Sequence, residues 1–146
     1  MLRRLTERIT RDWTLRRQLP QDFGGVPILV TPSAGLRYLA RSMNDVDPVL
    51  MNLVKEFVRP GSVVWDIGAN VGLFTFAAAS LAGPGGQVMA MEPDAWLVQL
   101  LRRSAKLQPP GKPLRGIRNS TRRSSICISR WSRNMRLSAN TSTRLK

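Results

Sequence analysis

An α/β fold with a parallel sheet is what this sequence predicts, and three observations carry it. Ser62-Val63-Val64-Trp65-Asp66-Ile67 is a short apolar run that leads straight into glycines, as a buried parallel strand does. From Val71 to Leu81 the residues are nearly all apolar or small, and Gly83-Pro84-Gly85-Gly86 then stops any helix. Gln87-Val88-Met89-Ala90-Met91 is a second apolar run, and it ends in Glu92. Strand, helix and strand in this order form a βαβ unit of the Rossmann-like kind, short enough for a single crossover connection.

The elements around that unit follow from local chemistry. Leu2, Leu5, Ile9 and Trp13 fall at helical spacing, with Arg3, Arg4, Arg8, Arg11, Arg16 and Arg17 mostly elsewhere, which predicts a basic amphipathic helix and linker over residues 1–25. Glu7 and Asp12 argue against a transit peptide, a class poor in acids. Val26 to Thr31 and Leu36 to Arg41 are β-prone runs separated by Pro32-Ser33-Ala34-Gly35, and a β-hairpin is expected there. Asp47-Pro48 supplies a helix N-cap and a first-turn proline, and Val49, Leu50, Leu53, Val54 and Phe57 make one apolar face. That helix should stop at Arg59-Pro60-Gly61. After the second strand, Asp94 is placed to cap a helix whose apolar face holds Trp96, Leu97, Leu100 and Leu101. Gln108-Pro109-Pro110-Gly111 ends it.

Composition divides the chain at the same point. The 146 residues allow one domain, and the formal net charge is +14. Ten of the 23 basic residues lie in residues 111–146 together with no acid, whereas the first 110 residues carry thirteen against nine acids. The expected organisation is therefore a partial α/β domain over 26–107 and a basic, Arg/Ser-rich, disordered tail over 108–146. That tail has Trp131 among its arginines, which also fits an RNA-binding segment that uses phosphate contacts and base stacking. With one cysteine, Cys127, and no histidine, the chain offers no intramolecular disulfide, no zinc site and no histidine base. No apolar run approaches the roughly 20 residues of a spanning helix, so a cytoplasmic setting without a transmembrane segment is expected.

Candidate functional residues gather at the turn between the first strand and its helix. Gly68 and Gly72 permit a tight turn and a close backbone approach by a ligand. The helix start behind them offers N–H groups to a carboxylate. Asp66, just before the turn, suits a cationic group. Glu92, twenty residues after Gly72 at the tip of the second strand, suits both hydroxyls of a ribose. Taken singly, a glycine pair after a strand serves only a turn. In register with two acids and a helix start, it points to a nucleoside cofactor. A nicotinamide dinucleotide is the competing ligand, but aligning Gly68 with the first glycine of GxGxxG places Asn70 and Leu73 at the other two glycine positions, and Asp66 would repel a pyrophosphate.

The stretch VVWDIGANVGLFTFAAASLAGPGGQVMAMEPD resembles the first two cofactor motifs of the FkbM-type methyltransferases, in its DIGANxGxFT core, its GPxGxV link and the Glu-Pro pair that ends the second strand. Asp47 to Gly61 resembles the helix that precedes them, and the likeness covers about residues 26–107. It implies a class I methyltransferase fold with S-adenosyl-L-methionine as cofactor, and O-methylation of a sugar or small metabolite as the expected activity. By that resemblance Asp66, Gly68, Ala69, Asn70, Gly72 and Glu92 contact the cofactor, and Thr75 is a secondary candidate near its carboxylate. The departure begins after Leu107, where no third parallel strand is expected and the fold reads as truncated. Such a change inside a domain is also what translation in a shifted frame produces, and that is the preferred expectation for the tail. No catalytic residue is assigned, since no histidine is present and no acid follows Asp94.

Overall fold

The computed structural model describes residues 13–40, 42–110 and 114–120. The helical spacing of Leu2, Leu5 and Ile9 and the Arg/Ser-rich segment beyond Ser120 lie outside the described residues.

Three parallel strands form the centre: β3 (Val63–Ile67), β4 (Gln87–Glu92) and β5 (Leu114–Asn119), in the order β3-β4-β5. Val64 pairs with Val88 and Asp66 with Ala90, while Ala90 pairs with Ile117 across the other edge of β4. Alternation along these strands sends Val88, Ala90, Glu92 and Asp66 into the protein and leaves Val63, Trp65 and Ile67 exposed on the opposite face. Two helices cover the buried face. The first, joining β3 to β4, runs over Leu73–Ala82; the second, joining β4 to β5, over Ala95–Lys106. The helix before β3, Pro48–Phe57, is α1, so these two are α2 and α3. The parallel α/β class read from the sequence is the observed one.

Local signals place the helices as expected. Asp47 Oδ1 accepts from the Leu50 N–H at 3.0 Å with Pro48 in the first turn, and Asp94 Oδ1 accepts from the Trp96 N–H at 2.8 Å. α2 is buried on several sides, from Leu73 to Ala82, because it lies between the sheet, α1 and the loop that carries Phe23. In α1 the residues that meet the core are Met51 and Val54, whereas Val49, Leu53 and Phe57 are exposed. Of the expected apolar face, Val54 is buried and Leu50 packs against the core, and Met51 joins them on the side that meets α2.

Three expectations are corrected. The hairpin between Val26 to Thr31 and Leu36 to Arg41 does not form. Instead β1 (Leu15–Gln18) pairs antiparallel with β2 (Pro27–Val30), so a strand stands in the segment expected to be a helix and linker. Pro32 opens one 3-10 turn and Gly35 the next, Leu36–Leu39, which buries Tyr38 and exposes Leu36 and Leu39. A single buried side chain in four does not make the two-residue period of a strand, whatever the β-propensity of its residues. The third correction is β5. The parallel sheet continues past Leu107, and the segment assigned to a disordered tail contributes its third strand.

The β1–β2 pair is bonded to the helical layer. The Leu29 N–H donates to Ser104 Oγ at 2.9 Å, Gln108 Nε2 donates to the Pro27 carbonyl at 2.7 Å, and Ser80 Oγ donates to the Phe23 carbonyl at 2.6 Å. Ile28, Val30 and Phe23 join Phe76, Leu100 and Leu101 in one hydrophobic core.

Candidate functional site

All the candidate residues sit at the carboxyl ends of β3 and β4, where open parallel sheets bind ligands. The turn Ile67 to Gly72 reverses sharply, with φ of +85° at Gly68, +51° at Asn70 and +92° at Gly72. Met91 fixes its first half, accepting at its carbonyl from the N–H groups of Gly68 (2.8 Å) and Ala69 (3.0 Å). Glu92 fixes its second half. Its Oε2 accepts from the Asn70 N–H at 2.8 Å and its Oε1 from the Asp94 N–H at 2.9 Å. A carboxylate 5% exposed therefore ties the glycine turn to the start of α3.

The two glycines have different reasons to be glycine. A Cβ on Gly68 would have no atom within 4 Å, so its side of the turn is open to a ligand. A Cβ on Gly72 would lie 2.6 Å from both Leu101 Cδ2 and Phe76 Cε2. Gly72 thus serves the packing of α2 and α3 rather than the approach of a ligand, a distinction that spacing alone does not make.

Asp66 is committed to the protein as well. It is 9% exposed, and Thr75 Oγ1 donates to its Oδ2. The Thr75 backbone N–H donates to the same carboxylate. Gly72 has no side chain to cap α2, and the acid arriving from β3 takes that role. Thr75 itself is fully buried, so its hydroxyl supports Asp66 and does not face a ligand. Burial pushes the Asp66 carboxyl above its ordinary value, against the lowering effect of the Thr75 bonds, and the nearby Glu92 adds to the rise.

The raised value sets a pH dependence with a definite sign. The folded chain holds the Asp66 proton more tightly than the unfolded chain, so stability present at acid pH is lost as pH climbs from the ordinary carboxylate range through the raised value. Asp66→Asn should remove that loss, and the variant should gain stability relative to the parent as pH rises. Urea denaturation of both proteins from about pH 4 to about pH 8 measures the difference. A difference that stays flat or has the opposite slope would contradict it.

Ala69 is buried beneath the turn and touches solvent through 5% of its surface. Asn70 was expected at the site on resemblance alone, and the structure gives it two distinctions. Among the described residues it is the only non-glycine with positive φ, and its Oδ1 is the only buried side-chain nitrogen or oxygen without a hydrogen-bond partner. Among the described residues no basic side chain pairs with Asp66 or Glu92, and no group of acids, cysteines or histidines could hold a metal ion. None of the described helices is long and apolar enough to cross a membrane. Chemically the site is a cluster of acceptors: two carboxylates and one amide oxygen around an open turn.

These features define a parallel α/β protein with a glycine turn at the carboxyl end of its first parallel strand. No family model matches the chain, and no curated protein matches it. Among solved structures it is similar to a SAM-dependent methyltransferase from Aquifex aeolicus, with 19% sequence identity, a TM-score of 0.43, and coverage of 56% of this chain and 44% of that one. The chain thus spans less than half the length of that protein. The α/β class rests on the parallel sheet itself.

Proposed function

We propose that this chain carries the cofactor-binding part of an S-adenosyl-L-methionine-dependent methyltransferase, of the FkbM type that its motifs resemble, acting by O-methylation on a sugar or small metabolite. One observation carries the reading: the open turn at Gly68 is ringed by acceptors, Asp66, Glu92 and Asn70 Oδ1, without a basic partner among the described residues. Such a site favours a ligand rich in hydrogen-bond donors and positive charge, and it opposes a pyrophosphate. S-adenosyl-L-methionine has that character in its ribose hydroxyls, ammonium and sulfonium.

The chain's own residues then have distinct tasks. Glu92 spends one lone pair of each oxygen on a backbone N–H and keeps a second on each for the ribose hydroxyls. Asp66 holds the start of α2 in place through Thr75 and sets a negative potential below the turn. Bound there, the cofactor would supply an activated methyl group, and catalysis by the protein would consist chiefly of holding an acceptor in line with it.

The test is thermal unfolding with added ligand. A dissociation constant on the order of 0.1 mM would give about 1.4 kcal/mol of stabilisation at roughly 1 mM ligand. For a domain of this size that is a rise of about 5 °C in Tm. NAD at the same concentration should give none. Equal stabilisation by both ligands, or by NAD alone, would overturn the assignment.

A further inference from the structure

Among the described residues β1 is paired along one edge only, with β2. Which backbone groups face its other edge follows from the register. The Leu19 N–H donates to the Val26 carbonyl at 2.9 Å, and this is the next rung of the pairing that sets Arg17 against Ile28 and Leu15 against Val30. In an antiparallel pair, rungs that exchange hydrogen bonds alternate with rungs that exchange none. Arg16 opposite Leu29 and Gln18 opposite Pro27 are therefore the non-bonded rungs. β2 agrees from its own far edge, where the Leu29 N–H donates to Ser104 Oγ and the Pro27 carbonyl accepts from Gln108 Nε2. On β1 the N–H and C=O of Arg16 and of Gln18 must then point outward, two residues apart, at the spacing of a strand ladder.

A groove of about 590 Å³ lies beside β1, lined by Arg16, Arg17 and Gln18 from the strand and by Ser42, Met43 and Asn44 from the segment that enters the 3-10 turn Met43–Asp45. No acid is among its lining residues. Asp22, close to it in sequence, is bonded to Lys55. Arg17 donates to the Ala40 carbonyl, whereas Arg16 is exposed and has no ion pair among the described residues. Charge on an edge strand is a common defence against pairing with a like chain, and here it opposes a second copy of a chain whose formal net charge is +14. The same charge draws in a strand of opposite sign.

We propose that β1 is a docking edge for an extended acidic peptide of another protein, which adds as a third strand to the β1–β2 pair. Its backbone bonds to the outward N–H and C=O groups of Arg16 and Gln18, and a carboxylate lies against the Arg16 guanidinium in the groove. Backbone bonds supply the affinity and the arginines select the sign of charge. None of Asp66, Gly68, Asn70 and Glu92 lines this groove, so the inference stands apart from the cofactor reading.

The experiment titrates the full chain with a fluorescent octapeptide of alternating glutamate and threonine and follows its anisotropy. A lysine–threonine counterpart, and the acidic peptide with alternate backbone nitrogens methylated, should each bind at least about tenfold more weakly. Arg16→Glu should weaken the acidic peptide about tenfold and admit the lysine peptide. Gln18→Pro removes one outward donor and no rung of the β1–β2 ladder, so it should also weaken binding about tenfold while the unfolding midpoint stays within about 3 °C of the parent. Failure of the acidic peptide to bind would overturn the proposal. So would binding that ignores backbone methylation and Gln18→Pro, since charge alone would then account for it. A large fall in the midpoint of Gln18→Pro would contradict the outward register on which the proposal stands. Tighter, Arg16-dependent binding of an oligouridylate would assign the groove to nucleic acid instead, and self-association abolished by Gln18→Pro would assign the edge to a second copy; either result would also overturn it.

Discussion

Gly72→Ala is expected to destabilise the protein by about 3 kcal/mol, whereas Gly68→Ala should cost only about 1 kcal/mol. Both positions have positive φ, so both variants bear the cost of placing a Cβ in the left-handed region. Only at Gly72 does that carbon also collide, at 2.6 Å from Leu101 Cδ2 and Phe76 Cε2. Leu101 and Phe76 are themselves buried to 0% and 1% exposure, so neither can swing aside into solvent. The clash must be relieved by separating α2 from α3, which opens the core that both helices build over β4. Chemical denaturation resolves a gap of this size. Gly68→Ala has the complementary phenotype: near-parental stability, with a methyl group in the open space by the turn and weaker binding of S-adenosylmethionine. If the two variants lose equal stability, the packing role assigned to Gly72 is wrong.

This pair shows what spacing conveys and what it does not. The sequence marked both glycines because each follows a strand and precedes a helix, yet it could not tell a glycine that makes room for a ligand from one that makes room for Leu101, a residue 29 positions later. The same holds for Asp66. Its place at the end of an apolar run was legible, but the bonds from Thr75 that turn it into the cap of α2 depend on the fold. The caps Asp47 and Asp94 are legible in the sequence because their chemistry is contained within a few residues.

β5 is hidden in the sequence for a different reason. LRGIRN has a glycine at its centre and two arginines, and a register shift opposite Val88 and Met89 breaks its alternation. Among the described strands it borders β4 alone, so it needs no continuous apolar run, in contrast with β4 itself. Leu114 and Ile117 are enough to pack against the core. The composition change near Gly111 therefore falls before the last strand and does not mark the end of the sheet, and the edge of β4 away from β3 is paired with β5. β3 shows the reverse case. Its apolar run predicted burial on both faces, yet Trp65 and Ile67 are 43% and 79% exposed because the described helices cover only one.

Glu92→Ala should cost about 3 kcal/mol and abolish S-adenosylmethionine binding, because this one side chain holds the turn and the start of α3 together. Two backbone N–H groups, of Asn70 and Asp94, lose a charged acceptor at 2.8 Å and 2.9 Å, and both bonds are partly shielded from water. Glu92→Gln tests the account more finely. A carboxylate can accept from both N–H groups, but an amide has one acceptor and one donor, so one of the two bonds must fail and about half of the loss should remain. An opposing effect is built into the same substitutions. Glu92 helps to raise the Asp66 carboxyl, so removing its charge should lower the Asp66 pKa and return part of the stability above the carboxylate range. Glu92→Ala combined with Asp66→Asn should therefore be less than additive in its pH-dependent part, a coupling that a double-mutant cycle measured at two pH values isolates. Strict additivity at both pH values would mean that the two acids do not sense each other, and the acceptor cluster at the turn would have to be regarded as two separate sites.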